Sequence, residues 1–121
     1  MEQATGADGA NEVLLRGRVS SEPQERQLPS GSVLISFRLV LARERTPMTA
    51  ASKQVSDWVE CSAWGARVRK QAGSWREGDQ VEVRGSLRRR YLKDGRTSVE
   101  VEMLGGRLVR RARAGESARA G

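Results

Sequence analysis

The chain has 121 residues, of which 37% are hydrophobic and 31% charged, and its formal net charge is +7. That length suits one domain, and so one-sided a charge points to a polyanion, nucleic acid before an anionic membrane. With no histidine and one cysteine, a histidine general base, a histidine or multi-cysteine metal site and an internal disulfide are all excluded.

Cys61 reads as a small core residue suited to a reducing compartment. No apolar run is long enough for a signal peptide or a membrane span. The expectation is a soluble cytoplasmic chain with no membrane partner, no cofactor and no metal.

Residues 1–11 carry Glu2 and Asp8 but no basic side chain, and are expected to form a flexible N-terminal arm. The folded domain is expected over 12–109. Its first strand, Glu12–Val19, puts Val13, Leu15, Gly17 and Val19 on one face and Arg16 and Arg18 on the other. Ser20–Pro23 is turn chemistry, Gln24–Leu28 a short extended piece, and Pro29-Ser30-Gly31-Ser32 a hairpin signal. The second strand, Val33–Arg43, has the cleanest period of two: Val33, Ile35, Phe37, Leu39 and Leu41 against Leu34, Ser36, Arg38, Val40 and Ala42. Glu44–Val55 has Pro47 and no period, and reads as a long mobile loop.

The third strand, Ser56–Trp64, organises the rest. Val59, Cys61 and Ala63 form a small apolar face; Trp58, Glu60, Ser62 and Trp64 form the other. Two of the three tryptophans thus share a face with polar groups, roughly 20 Å apart at ~3.3 Å per residue. Rings displayed this way in a basic protein suit the unpaired bases of a single strand. Large aromatics are more often buried, so this strand alone leaves burial of both rings open.

A helix is expected over Ala66–Trp75, with Val68, Ala72 and Trp75 as an apolar stripe and Trp75 as a core plug. After the turn Arg76–Asp79, the fourth strand, Gln80–Tyr91, turns Val81, Val83, Gly85 and Leu87 inward and Glu82, Arg84, Ser86, Arg88 and Arg90 outward. Lys93-Asp94-Gly95-Arg96 is a tight hairpin turn. Thr97–Leu104 returns with Val99, Val101 and Met103 inward. Gly105-Gly106 is expected to break the run before a short last piece, Arg107–Val109, and 110–121 reads as a disordered basic tail.

Five strands with one short helix between the third and fourth is the order of the OB-fold, a mainly β, partly open five-stranded barrel. That fold binds oligonucleotides and oligosaccharides over its strand 2–3 face, where parity puts Trp58 and Trp64. Strand order and parity, two separate arguments, meet on one surface.

The runs Asn11–Val19, Pro29-Ser30-Gly31, Asp57-Trp58, Ala63-Trp64-Gly65 and Gly78–Arg88, in this order and spacing, resemble the bacterial single-stranded DNA-binding proteins over about 11–109. The resemblance implies a non-enzymatic protein that coats single-stranded DNA in replication, recombination and repair without sequence preference. It also implies a homo-oligomer, a tetramer before a dimer, and a nucleoid-associated location. It assigns base stacking to Trp58 and Trp64 and strand contact to Arg88 and Arg90. Tyr91 is a possible substitute for a stacking ring usual at about Leu92. A further ring usual after the second strand is missing from Ala42-Arg43-Glu44-Arg45, and typical members end in an acidic tip that this sequence lacks. It therefore looks like a divergent or secondary member.

The outward Arg16 and Arg38 and the hairpin residues Lys93 and Arg96 complete the expected DNA-binding set, as neutralisers of phosphate. Glu60 stands out as a negative charge on that face. Rival readings are an RNA-binding or primosome-accessory OB module, and an oligomerisation partner of a paralogous single-stranded DNA-binding protein. A nuclease has little support, because Asp57, Glu60 and Asp79 are scattered and there is no histidine.

Overall fold

A computed structural model describes residues 9–113. The alternating segments become β1 (Val13–Val19), β2 (Gln24–Gln27), β3 (Val33–Ala42), β4 (Ser56–Ala63), β5 (Gln80–Tyr91) and β6 (Thr97–Arg110), with one helix, α1 (Ala66–Gly73), between β4 and β5. None of the helices described is long and apolar enough to cross a membrane.

The strands pair in the order β1-β5-β6-β4-β3-β2, and β1 also pairs with β3. Five strands therefore close into a ring, and the short extended piece is a real sixth strand, β2, on the edge of β3. Two seams of the ring are short. β4 and β6 run parallel over Glu60–Ser62 against Glu100–Glu102, and β1 meets β3 only at Arg18 and Val19. Gly17 permits the second seam, since a Cβ there would collide with the Val40 carbonyl.

Period-two parity places the core. Val19, Phe37, Leu39, Cys61, Ala63, Val81, Val83, Val101 and Met103 are all buried inside the ring. Val68 and Ala72 of α1 plug it, and Trp75 stands edge-on to Phe37, with ring centroids 5.5 Å apart at 88°. Trp75 is thus core, although α1 ends at Gly73, short of the expected boundary. Gly73 lowers helix propensity there, and the Ser74 hydroxyl donates to the Gln71 carbonyl at 2.7 Å.

Two boundaries at the C-terminal side need correction. Gly105-Gly106 does not break the last strand: β6 runs on to Arg110, with Gly105 opposite Arg84 and Gly106 opposite Val83. The glycines are there because neighbours occupy the space of a side chain. A Cβ on Gly105 would meet the Arg84 guanidinium, and one on Gly106 the Glu82 carbonyl. Nor does loose chain begin at Arg110. Arg111 Nη1 donates to Asp79 Oδ2 at 2.7 Å, and the Ala112 amide donates to Oδ1 at 2.8 Å. The remainder of the expected tail, 114–121, and residues 1–8 of the expected arm lie outside the described residues. Asn11 of that arm is fixed: its side-chain amide donates to the Leu87 carbonyl at 2.9 Å and accepts from the Leu87 amide at 2.8 Å.

Cys61 sits at the centre of β4, 1% exposed. Burial first, then Glu60 and Glu100, push its thiol up to about 12. Only a thiolate attacks a disulfide reagent. At pH 8 the native protein is expected to resist labelling and to react fully once unfolded in denaturant. Rapid labelling of the native state would show that the ring opens at β4.

Candidate nucleic-acid interface

The outer face of the ring over β3, β4, β6 and β5 is ruled into rows by strand register. One row runs Arg38, Glu60, Glu100, Arg88; the next runs Ser36, Ser62, Glu102, Ser86. Trp58 and Trp64 stand on this face at either end of β4, 57% and 42% exposed. Neither is sealed in the core, because β4 spends its small residues, Cys61 and Ala63, on the crowded interior.

Each ring has a fixed setting. The Arg38 guanidinium lies 4.0 Å from the centre of the Trp58 ring, held there by Nε and Nη2 hydrogen bonds of 2.9 and 2.8 Å to Glu60. Arg38 therefore covers one face of the indole and leaves the other open. Glu60 is not a stray negative charge: it orients the cation that stacks on Trp58. The Trp64 indole N–H donates to Ser62 Oγ at 3.1 Å. A cleft of about 320 Å³ opens beside it, lined by Ser62, Trp64, Arg88, Glu100 and Glu102.

The charges on this face balance. Arg38 pairs with Glu60 at 2.8 Å, Arg88 with Glu102 at 3.0 Å and Arg90 with Glu100 at 3.9 Å. Stacking and hydrogen-bonding groups dominate the surface between the tryptophans, and its cations are matched by carboxylates.

The other expected residues are spread more widely. Arg16 lies at the far end of the ring, where it and Arg107 both donate to Glu82, at 2.6 and 3.0 Å. Arg107 is five residues along β6 from Glu102, so Arg16 lies roughly 16 Å beyond the Ser62–Glu102 row at ~3.3 Å per residue. The Arg16 hydrogen bond first, then the Arg107 pair, hold the Glu82 carboxyl below its usual range. Lys93 and Arg96 sit in the exposed β5–β6 turn, where Arg96 pairs with Asp94 at 2.6 Å. Tyr91 is 76% exposed, but it shares the parity of Leu87 and Arg89, so it faces away from Arg88 and Arg90. The fold thus gathers Arg38, Trp58, Trp64, Arg88 and Arg90, and leaves Arg16 and Tyr91 apart from them.

The sequence pattern of the Single-strand binding protein family matches residues 10–110. The chain belongs to this family. A curated relative, the Single-stranded DNA-binding protein 1 of Chlorobaculum tepidum, is 26% identical over 91 residues, 75% of this chain and 56% of the relative. The chain thus spans little more than half the length of that relative. Among solved structures, a Plasmodium falciparum SSB in complex with ssDNA superposes with a TM-score of 0.67 at 23% identity, covering 88% of this chain and 98% of that one. The mitochondrial single-stranded DNA-binding protein of S. cerevisiae superposes with a TM-score of 0.68 at 13% identity, covering 85% and 97%. These likenesses establish the family's OB-fold, with β1, β3, β4, β5 and β6 closing the ring and β2 on the edge of β3.

One group of basic residues escaped the pattern reading. Arg67 and Lys70 of α1 lie with Arg84 of β5 around a second cleft. The available signal was the i,i+3 spacing of Arg67 and Lys70 opposite the buried Val68–Ala72 stripe. It could not show that Arg84, outward on a strand fourteen residues further on, would join them.

Proposed function

We propose that this chain binds single-stranded DNA without sequence preference, stacking bases on Trp58 and Trp64 while arginines meet the phosphates, and protects the strand in replication, recombination and repair. The observation that carries this reading is the pair of half-exposed tryptophans on one outer face of an OB ring. The family match and the names of the relatives supply the nucleic acid. Every base has a π-face, so stacking is tolerant of sequence. Binding needs no chemistry, and the chain acts as a coat and not as an enzyme, in the cytoplasm at the nucleoid.

Arg38 takes one face of Trp58, so a base takes the other and the indole sits between two flat groups. At the far end of β4, the Ser62 hydrogen bond holds the Trp64 ring in place for a second base. Arg88 and Arg90 flank the track on β5, and Lys93 and Arg96 meet the strand where it leaves over the hairpin. Oligomerisation, as a tetramer before a dimer, would place several such tracks on one particle.

Titration with poly-dT should quench the tryptophan fluorescence. A duplex of the same length should bind far more weakly, because paired bases cannot offer their faces. Equal anisotropy affinities for duplex and single strand would overturn the stacking mechanism. Competition between DNA and RNA oligonucleotides of equal length separates a DNA coat from an RNA-binding module.

A second reading, a partner subunit for a paralogous single-stranded DNA-binding protein, draws on the three carboxylates of the tryptophan face, which oppose phosphate. Mixed oligomers from a purified protein that does not quench with poly-dT would select it.

A further inference from the structure

The cations of the tryptophan face are each matched by a carboxylate, yet a protein of net charge +7 has unmatched cations elsewhere. Three of them converge. A cleft of about 450 Å³ is lined by Arg67, Lys70, Gln71, Arg84, Gly105 and Gly106, with no acidic residue among them. That volume is in the range of small-ligand sites. Arg67, Lys70 and Arg84 are exposed and make no ion pair among the described residues.

The cleft is organised by its floor. The Arg84 guanidinium lies over Gly105, in space that any side chain at 105 would fill. Gln71 Nε2 donates to the Gly106 carbonyl at 2.6 Å, tying α1 to β6. Arg67 and Lys70, three apart on the helix, share one face. Glycine thus gives the cations a backbone floor, with α1 and β5 as its walls.

Its position follows from register. The parallel pairing of β4 with β6 reaches Ser62 and Glu102, and both chains go on in that direction, one to Trp64 and the other to Leu104. Immediately beyond lie Gly65 and Arg67 on one side, and Gly105 and Gly106 on the other. The basic cleft therefore lies in the direction in which the chain leads on from Trp64.

We infer that Arg67, Lys70 and Arg84 form a phosphodiester site that receives the strand as it passes Trp64 and supplies most of the salt-dependent part of the affinity. This rests on the stacking reading above. In that division of labour the tryptophan face holds bases with balanced charge, and the cleft holds backbone with unbalanced charge.

The test is the triple variant Arg67→Ala, Lys70→Ala, Arg84→Ala, titrated with poly-dT at several salt concentrations. Each neutralised phosphate of a single strand contributes ~0.7 to the slope of log K against log salt. The slope is expected to fall by about 2, and affinity at low salt by tenfold or more, with the maximal tryptophan quench unchanged. An unchanged slope with intact quenching would overturn the cleft while leaving stacking in place. Absence of quenching in the parent protein would overturn both. Should the triple variant melt early, the single variant Lys70→Glu on the exposed helix face gives the same reading: a shallower slope supports the site and an unaltered one refutes it.

Discussion

Replacing Trp58 or Trp64 by alanine is expected to cost about 1–3 kcal/mol of single-strand binding each, roughly 5- to 150-fold, because one base loses its stacking partner. The two changes together should remove most of the poly-dT affinity. Trp58→Ala also strips Arg38 of the ring beneath it, a contact of ~0.5–1 kcal/mol at an exposed site, so its melting temperature should fall only slightly. Trp64→Ala has a second consequence. Leu34 is buried on the outer face, one step along β3 from the Ile35–Ala63 pair and so across from position 64. Losing the ring there is expected to lower stability more than losing Trp58. Calorimetry and anisotropy on the same samples would separate these effects. Undiminished poly-dT affinity in the double variant would refute the stacking mechanism, whatever the melts show.

Asp79→Ala is expected to lower stability by about 3 kcal/mol, roughly 10–20 °C in melting temperature. Asp79 is 0% exposed. It accepts from the Arg76 amide at 2.8 Å, from Arg111 at 2.7 Å and from the Ala112 amide at 2.8 Å. Removing the carboxylate leaves two backbone donors and a cation without their acceptor, and donors stranded in the interior are expensive. The loss should also free the end of β6, since Arg111 and Ala112 are tied to the ring through this side chain. Arg111→Ala should cost much less, because Arg111 is itself half exposed and leaves Asp79 its two amide donors. A thermal melt of Asp79→Ala within a few degrees of the parent would show that the buried carboxylate is not what anchors this end.

The strands were largely legible because the interior of a small ring admits only one parity. Once Phe37, Leu39, Cys61 and Ala63 are turned inward, Trp58 and Trp64 must share the other face, and the strand order of an OB-fold was the second argument that this face is uncovered. The helix was legible for the same reason, through Val68 and Ala72. The run across Gly105-Gly106 was not. Glycine ordinarily interrupts a strand, and only the presence of the Arg84 guanidinium and the Glu82 carbonyl beside it explains why glycine continues this one. Asp79 was equally opaque: in a turn sequence it reads as a surface residue, and its buried role depends on Arg111, thirty-two residues away in the chain.

The sequence alone determined the element order and the alternation along each strand, because period-two alternation is a local property of the backbone; Leu87 and Val99, expected inward, are nonetheless 46% and 49% exposed. Tertiary structure decided how the charges are spent. Register set Glu60 against Arg38 and brought Glu102 and Glu100 to Arg88 and Arg90, which balances the tryptophan face. Ring closure carried Arg84 to Arg67 and Lys70, which concentrates unmatched charge beside it. Electrostatic partnership depends on distance through space, and a chain that lists its charges in order gives no hint of which will end up within 4 Å.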